Sequence, residues 1–343
     1  MPALTRRGLA LGAAAFSIAA CTGSSEARHV NVYSGRHYDS DLRLYAAFKQ
    51  KSGIEVRTLP ANGDQLLERL RVEGDQTEAD LIVTADAGNL YRLQEAHLLQ
   101  PVITPALEAG VPARLHDPQG YWWGFSKRVR VIAYRKGEID PATITSMDDL
   151  ANPRFHGQVC ARSSSNVYNL SLLAARIERL GADNARAWAA GVKANFARDP
   201  QGGDIEQIRA IAAGQCKLAI TNHYYYLRLA TSPDPADKAV AEQVGLIFPD
   251  QNGAGVHVNI SGAGVSAYAK RKAEAIALLE FLVSDEAQRM LAPLNEEYPI
   301  RPNIPPTPAL AALGTFKEEN VPLEALGRHQ AEAAQIYEAV GWR

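Results

Sequence analysis

Tyr121-Trp122-Trp123-Gly124-Phe125-Ser126-Lys127-Arg128-Val129-Arg130-Val131-Ile132-Ala133-Tyr134 reads as one long strand with good two-residue alternation. It is long enough to run from one lobe of a protein into another. Upstream, strands at 29–33, 54–59 and 80–83 alternate with amphipathic helices at 41–52, 65–73 and 89–96. Repeated strand–helix units predict a parallel sheet covered on both faces. In such sheets ligands sit beyond the carboxyl ends of the strands. Downstream come a strand within 154–161, helices at 170–180, 182–196 and 204–213, and a buried strand at 216–220. A Pro-rich, acidic surface loop is expected at 232–237 and a strand at 245–249. The stretch 255–265 then crosses back to the first lobe. Helices follow at 274–283 and 285–294, a proline-rich connector at 299–308, and a last helix or two within 323–340. The expectation is an α/β protein of two lobes joined by hinge strands. One lobe is 30–127 plus 255–305; the other is 128–254 plus 306–343.

Length fits this division, since 343 residues make two domains of ordinary size. A composition of 46% apolar and 22% charged residues is that of a soluble globular chain. The formal charge of −2 offers nothing to nucleic acid or an anionic membrane surface. Residues 1–29 read as an export signal and linker. Met1 to Arg7 is short and basic, and Gly8 to Ala20 is almost wholly small or apolar. Arg6-Arg7 resembles a twin-arginine signal. Ile18-Ala19-Ala20-Cys21 resembles a lipobox, which would anchor the chain by lipid at Cys21; plain cleavage near Ala20 is the alternative. The two remaining cysteines, Cys160 and Cys216, suggest a disulfide in an exported protein, against two buried free thiols.

The stretch most suited to chemistry is Asn222-His223-Tyr224-Tyr225-Tyr226, directly after the strand at 216–220. Thr221 or Asn222 can cap a helix that the tyrosines open. A helix N-terminus favours phenolate over phenol, and neighbours in its first turn can share one side. Phenolate oxygens are hard donors, suited to a hard cation such as Fe3+. The bland reading is an aromatic strand end. Other oxygen donors, Tyr38 and Tyr168, lie at further strand ends, with His37 beside Tyr38. Together these could form a cage from both lobes. Four phenolates bring −4 against +3, and Arg128 on the crossing strand would offset the excess. Ser164, Ser165 and Asn166 could contact an anion, or simply cap a helix. No HExxH, paired CxxC, P-loop or Gly-x-Ser-x-Gly motif is present, so no enzyme chemistry is expected.

Several stretches resemble one known family, the periplasmic ferric-ion-binding proteins of bacterial iron ABC transporters. They are Tyr33-Ser34-Gly35-Arg36-His37-Tyr38, the strand Trp123 to Val131, Asn222-His223-Tyr224-Tyr225, Asn259 to Gly264 and Glu296-Glu297-Tyr298-Pro299-Ile300. The resemblance implies two α/β lobes closing like a hinged trap. It implies Tyr224 and Tyr225 as paired ligands, with His37 or Tyr38 from the first lobe. The acidic ligand of phosphate-assisted members falls at Ala85, beside Asp86, which favours the tyrosine-rich subclass with Tyr38, Tyr168, Tyr224 and Tyr225. The expected protein is a monomer that hands ferric iron to an inner-membrane permease. The alternatives are the same fold holding an organic anion, such as a phosphonate or sugar phosphate, and, more remotely, a periplasmic hydrolase.

Overall fold

The computed structural model describes residues 28–36, 38 and 40–343. The export and lipidation expectations at Arg6-Arg7 and Cys21, and His37, lie outside the described residues. Among the described residues, nine strands form one curled sheet: β1 (His29–Ser34), β2 (Glu55–Pro60), β3 (Leu81–Thr84), β4 (Leu99–Gln100), β5 (Trp123–Arg135), β6 (Val159–Cys160), β7 (Leu218–Asn222), β8 (Val244–Ile247) and β9 (Val258–Ser266). Their order is β2-β1-β3-β9-β5-β7-β6, with β4 also on β9 and β8 also on β5.

The expectation of a parallel sheet holds only for part of each lobe. β1 lies parallel to β2 and β3, and β6 is parallel to β7. The returning strand β9 and the crossing strand β5 are antiparallel to their partners. The reason is topological: a chain that crosses to a second lobe and comes back must run against its outbound course. From Trp123 to Val129, β5 pairs with β9, and from Arg130 to Tyr134 it pairs with β7. One continuous strand therefore belongs to both halves of the sheet.

Two cores flank that handover. Val30, Val32, Leu44, Phe48, Leu81, Trp123 and Leu279 belong to the first. Ile132, Leu150, Val159, Leu173, Trp188, Ile336 and Trp342 belong to the second. A smaller cluster of Val129, Val131, Leu227, Val256, Val258, Tyr298 and Leu310 packs where the strands cross. The fold is thus two-lobed, with hinge strands between the lobes. Among the described residues, no helix is long and apolar enough to cross a membrane.

One expected loop is partly a helix. Pro235–Gln243 is helical, with Asp234 accepting from the Ala236 amide. The Asp-Pro pair that suggests a loop is here an N-cap followed by proline at the first helical position, where a missing N–H does no harm.

Cys160 ends β6, and Cys216 lies just before the parallel strand β7. The two are joined by a disulfide, with Cα atoms 5.8 Å apart and a sequence separation of 56. Closing a loop of that length restricts the unfolded chain by about 4 kcal/mol in the chain-entropy model. The Cys160→Ser/Cys216→Ser variant is expected to lose stability of that order, read as a lower urea midpoint together with a larger m-value as the unfolded chain expands. An unchanged midpoint would show that the bridge carries no stability.

Candidate functional site

At the end of β7 the backbone N–H of Asn222 donates to Asp204 Oδ2 at 2.8 Å, and the helix His223–Ala230 begins. The expected side-chain cap is not made. Instead Asn222 Nδ2 donates to the Tyr224 hydroxyl at 3.3 Å, so the amide serves the tyrosine rather than the helix. Tyr224 is fully buried, and its ring lies 4.3 Å from that of Tyr225. Tyr168 is the second residue of the helix Val167–Leu180, which Asn166 caps through the Tyr168 amide. Tyr38 comes from the other lobe, beyond β1. Its hydroxyl donates to Tyr224 Oη at 3.2 Å, and Tyr224 donates on to Tyr168 Oη at 3.3 Å. Three separate chain segments thus bring phenol oxygens to one point between the lobes.

Five guanidinium groups surround these rings. Arg36 lies 4.5 Å from the Tyr38 ring centre, and Arg228 lies 4.8, 5.0 and 5.5 Å from those of Tyr38, Tyr224 and Tyr225. Arg128, Arg162 and Arg130 lie 5.1, 5.5 and 5.9 Å from the Tyr168 ring centre. Sequence reasoning picked out Arg128 alone. Arg228 had a findable signal, one helical turn after Tyr224; Arg130 and Arg162 had none short of the fold.

Buried carboxylates hold this ring in place. Asp204 accepts from Arg130 at 2.6 Å and from Arg162 at 3.0 Å. Burial works against its charge, but the two arginines prevail and hold its pKa below the ordinary value. Asp86, adjacent to the position of the family's acidic ligand, is fully committed elsewhere. It caps the Gly88 amide at 2.8 Å and accepts from Ser171 and Asn259 at 2.8 and 2.7 Å. The carbonyl of Ala85 accepts from Arg128.

Burial pushes the phenols of Tyr38 and Tyr224 well above their ordinary pKa, with the neighbouring Tyr168 oxygen adding to it. Burial raises Tyr225 as well. Among the described residues, no group of three or more His, Cys, Asp or Glu side chains is arranged to hold a metal ion. Phenol oxygens are the donors that the hydroxyl contacts bring together here.

Beside the tyrosines opens a cleft of about 650 Å³, lined by Tyr168, Tyr225, Arg162, Ser163, Ser165 and Asn166 among others. Ser163 and Ser165 are hydrogen-bonded to each other at 2.9 Å, and Ser164 is half-buried between them. Asn166 spends its carbonyl oxygen on the helix cap.

Residues 76–314 match the family described as bacterial extracellular solute-binding protein. Iron uptake protein A1 of Synechocystis is 44% identical over 318 residues, 93% of this chain and 88% of that one. The chain belongs to the bacterial extracellular solute-binding proteins. Solved structures agree. The ferric binding protein of Campylobacter jejuni superposes with a TM-score of 0.89 at 38% identity, covering 92% of this chain and 100% of that one. A Trichodesmium protein in complex with iron and citrate gives 0.87 at 44% identity, with the same coverage.

Next to the tyrosine pair, this solute-binding protein carries a fully buried histidine. His223 Nδ1 accepts from the Val129 amide at 3.3 Å, so its Nε2 carries the proton that goes to the Glu296 carbonyl at 2.9 Å. The ring packs 4.7 Å from that of Tyr298. It therefore ties the tyrosine helix to the hinge strand. Burial lowers its pKa from 6.5 to about 3. The folded value is the depressed one, so stability is full above the unfolded value and is lost as pH falls from about 6.5 toward 3. The slope from this residue is about 1.4 kcal/mol per pH unit. His223→Gln should flatten that part of the acid-unfolding curve between pH 6 and 4. An unchanged slope in urea titrations across this range would remove His223 from the account.

Proposed function

We propose that this chain is the extracytoplasmic binding protein of an iron ABC transporter. It captures Fe3+ between its lobes and delivers it to an inner-membrane permease. The observation that carries this reading is the contact of Tyr38, Tyr168 and Tyr224 through their hydroxyls across the interlobe cleft, with Tyr225 packed alongside. Phenolates from these four tyrosines would hold the ion, with His37 a candidate fifth donor. Arg128 and the other guanidinium groups would offset the excess negative charge. The lobes divide as 30–127 plus 255–305 and 128–254 plus 306–343, so that Tyr38 belongs to the first and the other three ligands to the second. Closure then completes the ligand set.

Ferrous iron is a softer ion of lower charge, so reduction loosens binding and gives a release route. The protein works as a monomer in the periplasm, exported by its twin-arginine signal, with Cys21 the candidate point of lipid attachment. No catalytic step is part of this function. The names of the relatives support the reading: an iron uptake protein and a ferric binding protein stand at 44% and 38% identity.

The adjoining cleft has a use of its own. Ser163, Ser165 and Arg162 there could hold an anion that accompanies the ion. An organic anion alone would leave the buried tyrosines without a task. Titrating metal-free protein with ferric citrate tests the proposal. A phenolate-to-iron band should grow to one iron per chain, checked by elemental analysis. A colourless, iron-free protein at saturation overturns it.

A further inference from the structure

Glu297, in the stretch Glu296 to Ile300, takes no part in the ligand set just proposed. It follows Glu296, whose φ of +55° is left-handed, and precedes Tyr298, whose backbone pairs with Lys127 of β5 at 3.0 and 2.8 Å. The side chain is therefore fastened to the hinge strand, with a relative exposure of 0%. Its Oε2 accepts from Ser126 at 2.8 Å and from Arg36 at 3.3 Å. Among the described residues its Oε1 has no hydrogen-bond partner, and it lies 3.9 Å from Arg128. A buried carboxylate with a bare oxygen is costly, and such groups call for an explanation.

The two arginines it touches supply one. Arg36 faces the ring of Tyr38, and Arg128 faces the ring of Tyr168. The triad Arg36–Glu297–Arg128 thus stands behind one candidate ligand from each lobe. Arg36 has a second carboxylate, Asp41, at 3.0 and 3.1 Å, whereas among the described residues the one other carboxylate near Arg128 is Asp86, at 4.0 Å.

We propose that Glu297 is a specificity-determining positioning residue, whose buried negative charge sets the preference of this cavity for a trivalent over a divalent cation. The proposal rests on the iron-binding reading above. The energy of a fixed charge at a cation scales with the charge of that cation, so losing Glu297 penalises a 3+ ion more than a 2+ ion. In a partly screened interior, one such unit of charge is worth on the order of tenfold in an equilibrium constant.

The test uses the full mature chain, metal-free, with Ga3+ as nitrilotriacetate complex and Mn2+ as probes in competition titrations. Glu297→Gln keeps the shape and loses the charge; Glu297→Asp keeps the charge and shortens the side chain. The Ga3+ to Mn2+ affinity ratio is expected to fall roughly tenfold in the Gln variant and to stay within about threefold of wild type in the Asp variant. An unchanged ratio in the Gln variant, or an equal loss in both variants, overturns the proposal in favour of a packing role. Should the Gln variant not fold, Arg128→Gln must move the ratio the opposite way, upward, and a fall there is equally fatal. Wild-type protein that binds no Ga3+ sinks the iron reading itself, a result distinct from any pattern among the variants.

Discussion

Tyr224→Phe/Tyr225→Phe is expected to remain folded, lose the phenolate-to-iron band and lose nearly all affinity for ferric iron. Phenylalanine keeps both rings and removes only two oxygens, so the change reports on donors rather than packing. Tyr224 is the hub: it receives hydrogen bonds from Tyr38 and Asn222 and gives one to Tyr168. Structural zinc sites with four protein ligands bind with roughly 10–16 kcal/mol; on that scale one ligand carries on the order of 3 kcal/mol and a pair about four decades of affinity. Against that, the Asn222 amide left without the Tyr224 oxygen costs about 1–2 kcal/mol of stability, which a folded domain of this size survives. Circular dichroism should show native structure, while ferric titration shows no band. A band of wild-type position and intensity in this variant would remove both residues from the site.

How much of this was readable beforehand depends on what each feature requires. The strands and most helices follow from local periodicity, and β5 stood out because its run is too long for a single lobe. Its antiparallel partners were not readable, because β9 and β7 reach it from more than 80 residues away. Tyr38, Tyr168, Tyr224 and Tyr225 attracted notice because each sits just beyond a strand end, where α/β sheets present side chains to a cleft. Arg130 and Arg162 carry no such signal. Arg130 looks like one more residue of an alternating strand, and Arg162 like a loop cation. Only the fold turns both toward Asp204 and Tyr168. Asn222 misled through a sound rule, since a residue of capping type ahead of a helix usually caps it. Here the side chain makes no cap and instead donates through Nδ2 to a buried phenol.

Iron affinity is expected to rise steeply with pH, by about one decade per pH unit for each phenol proton released on binding, hence at least three for the buried Tyr38, Tyr224 and Tyr225. The sign follows from two states of the same groups. In the metal-free protein burial raises all three phenol pKa values above the ordinary value of 10.0, so each carries its proton at neutral pH. On a trivalent ion the same oxygens must be phenolates, held so by the metal charge far below neutrality. Binding therefore expels protons throughout the window between those two pKa values, and acid drives the ion off by mass action. Titration calorimetry of the gallium or ferric nitrilotriacetate complex, in buffers of differing ionisation enthalpy and corrected for the chelator's own protons, counts them directly. A count of three to four places these hydroxyls on the metal, the fourth proton being that of Tyr168. A count below one would mean that the phenols stay protonated when the cleft is filled, and the ion would then have to be held by something other than these rings.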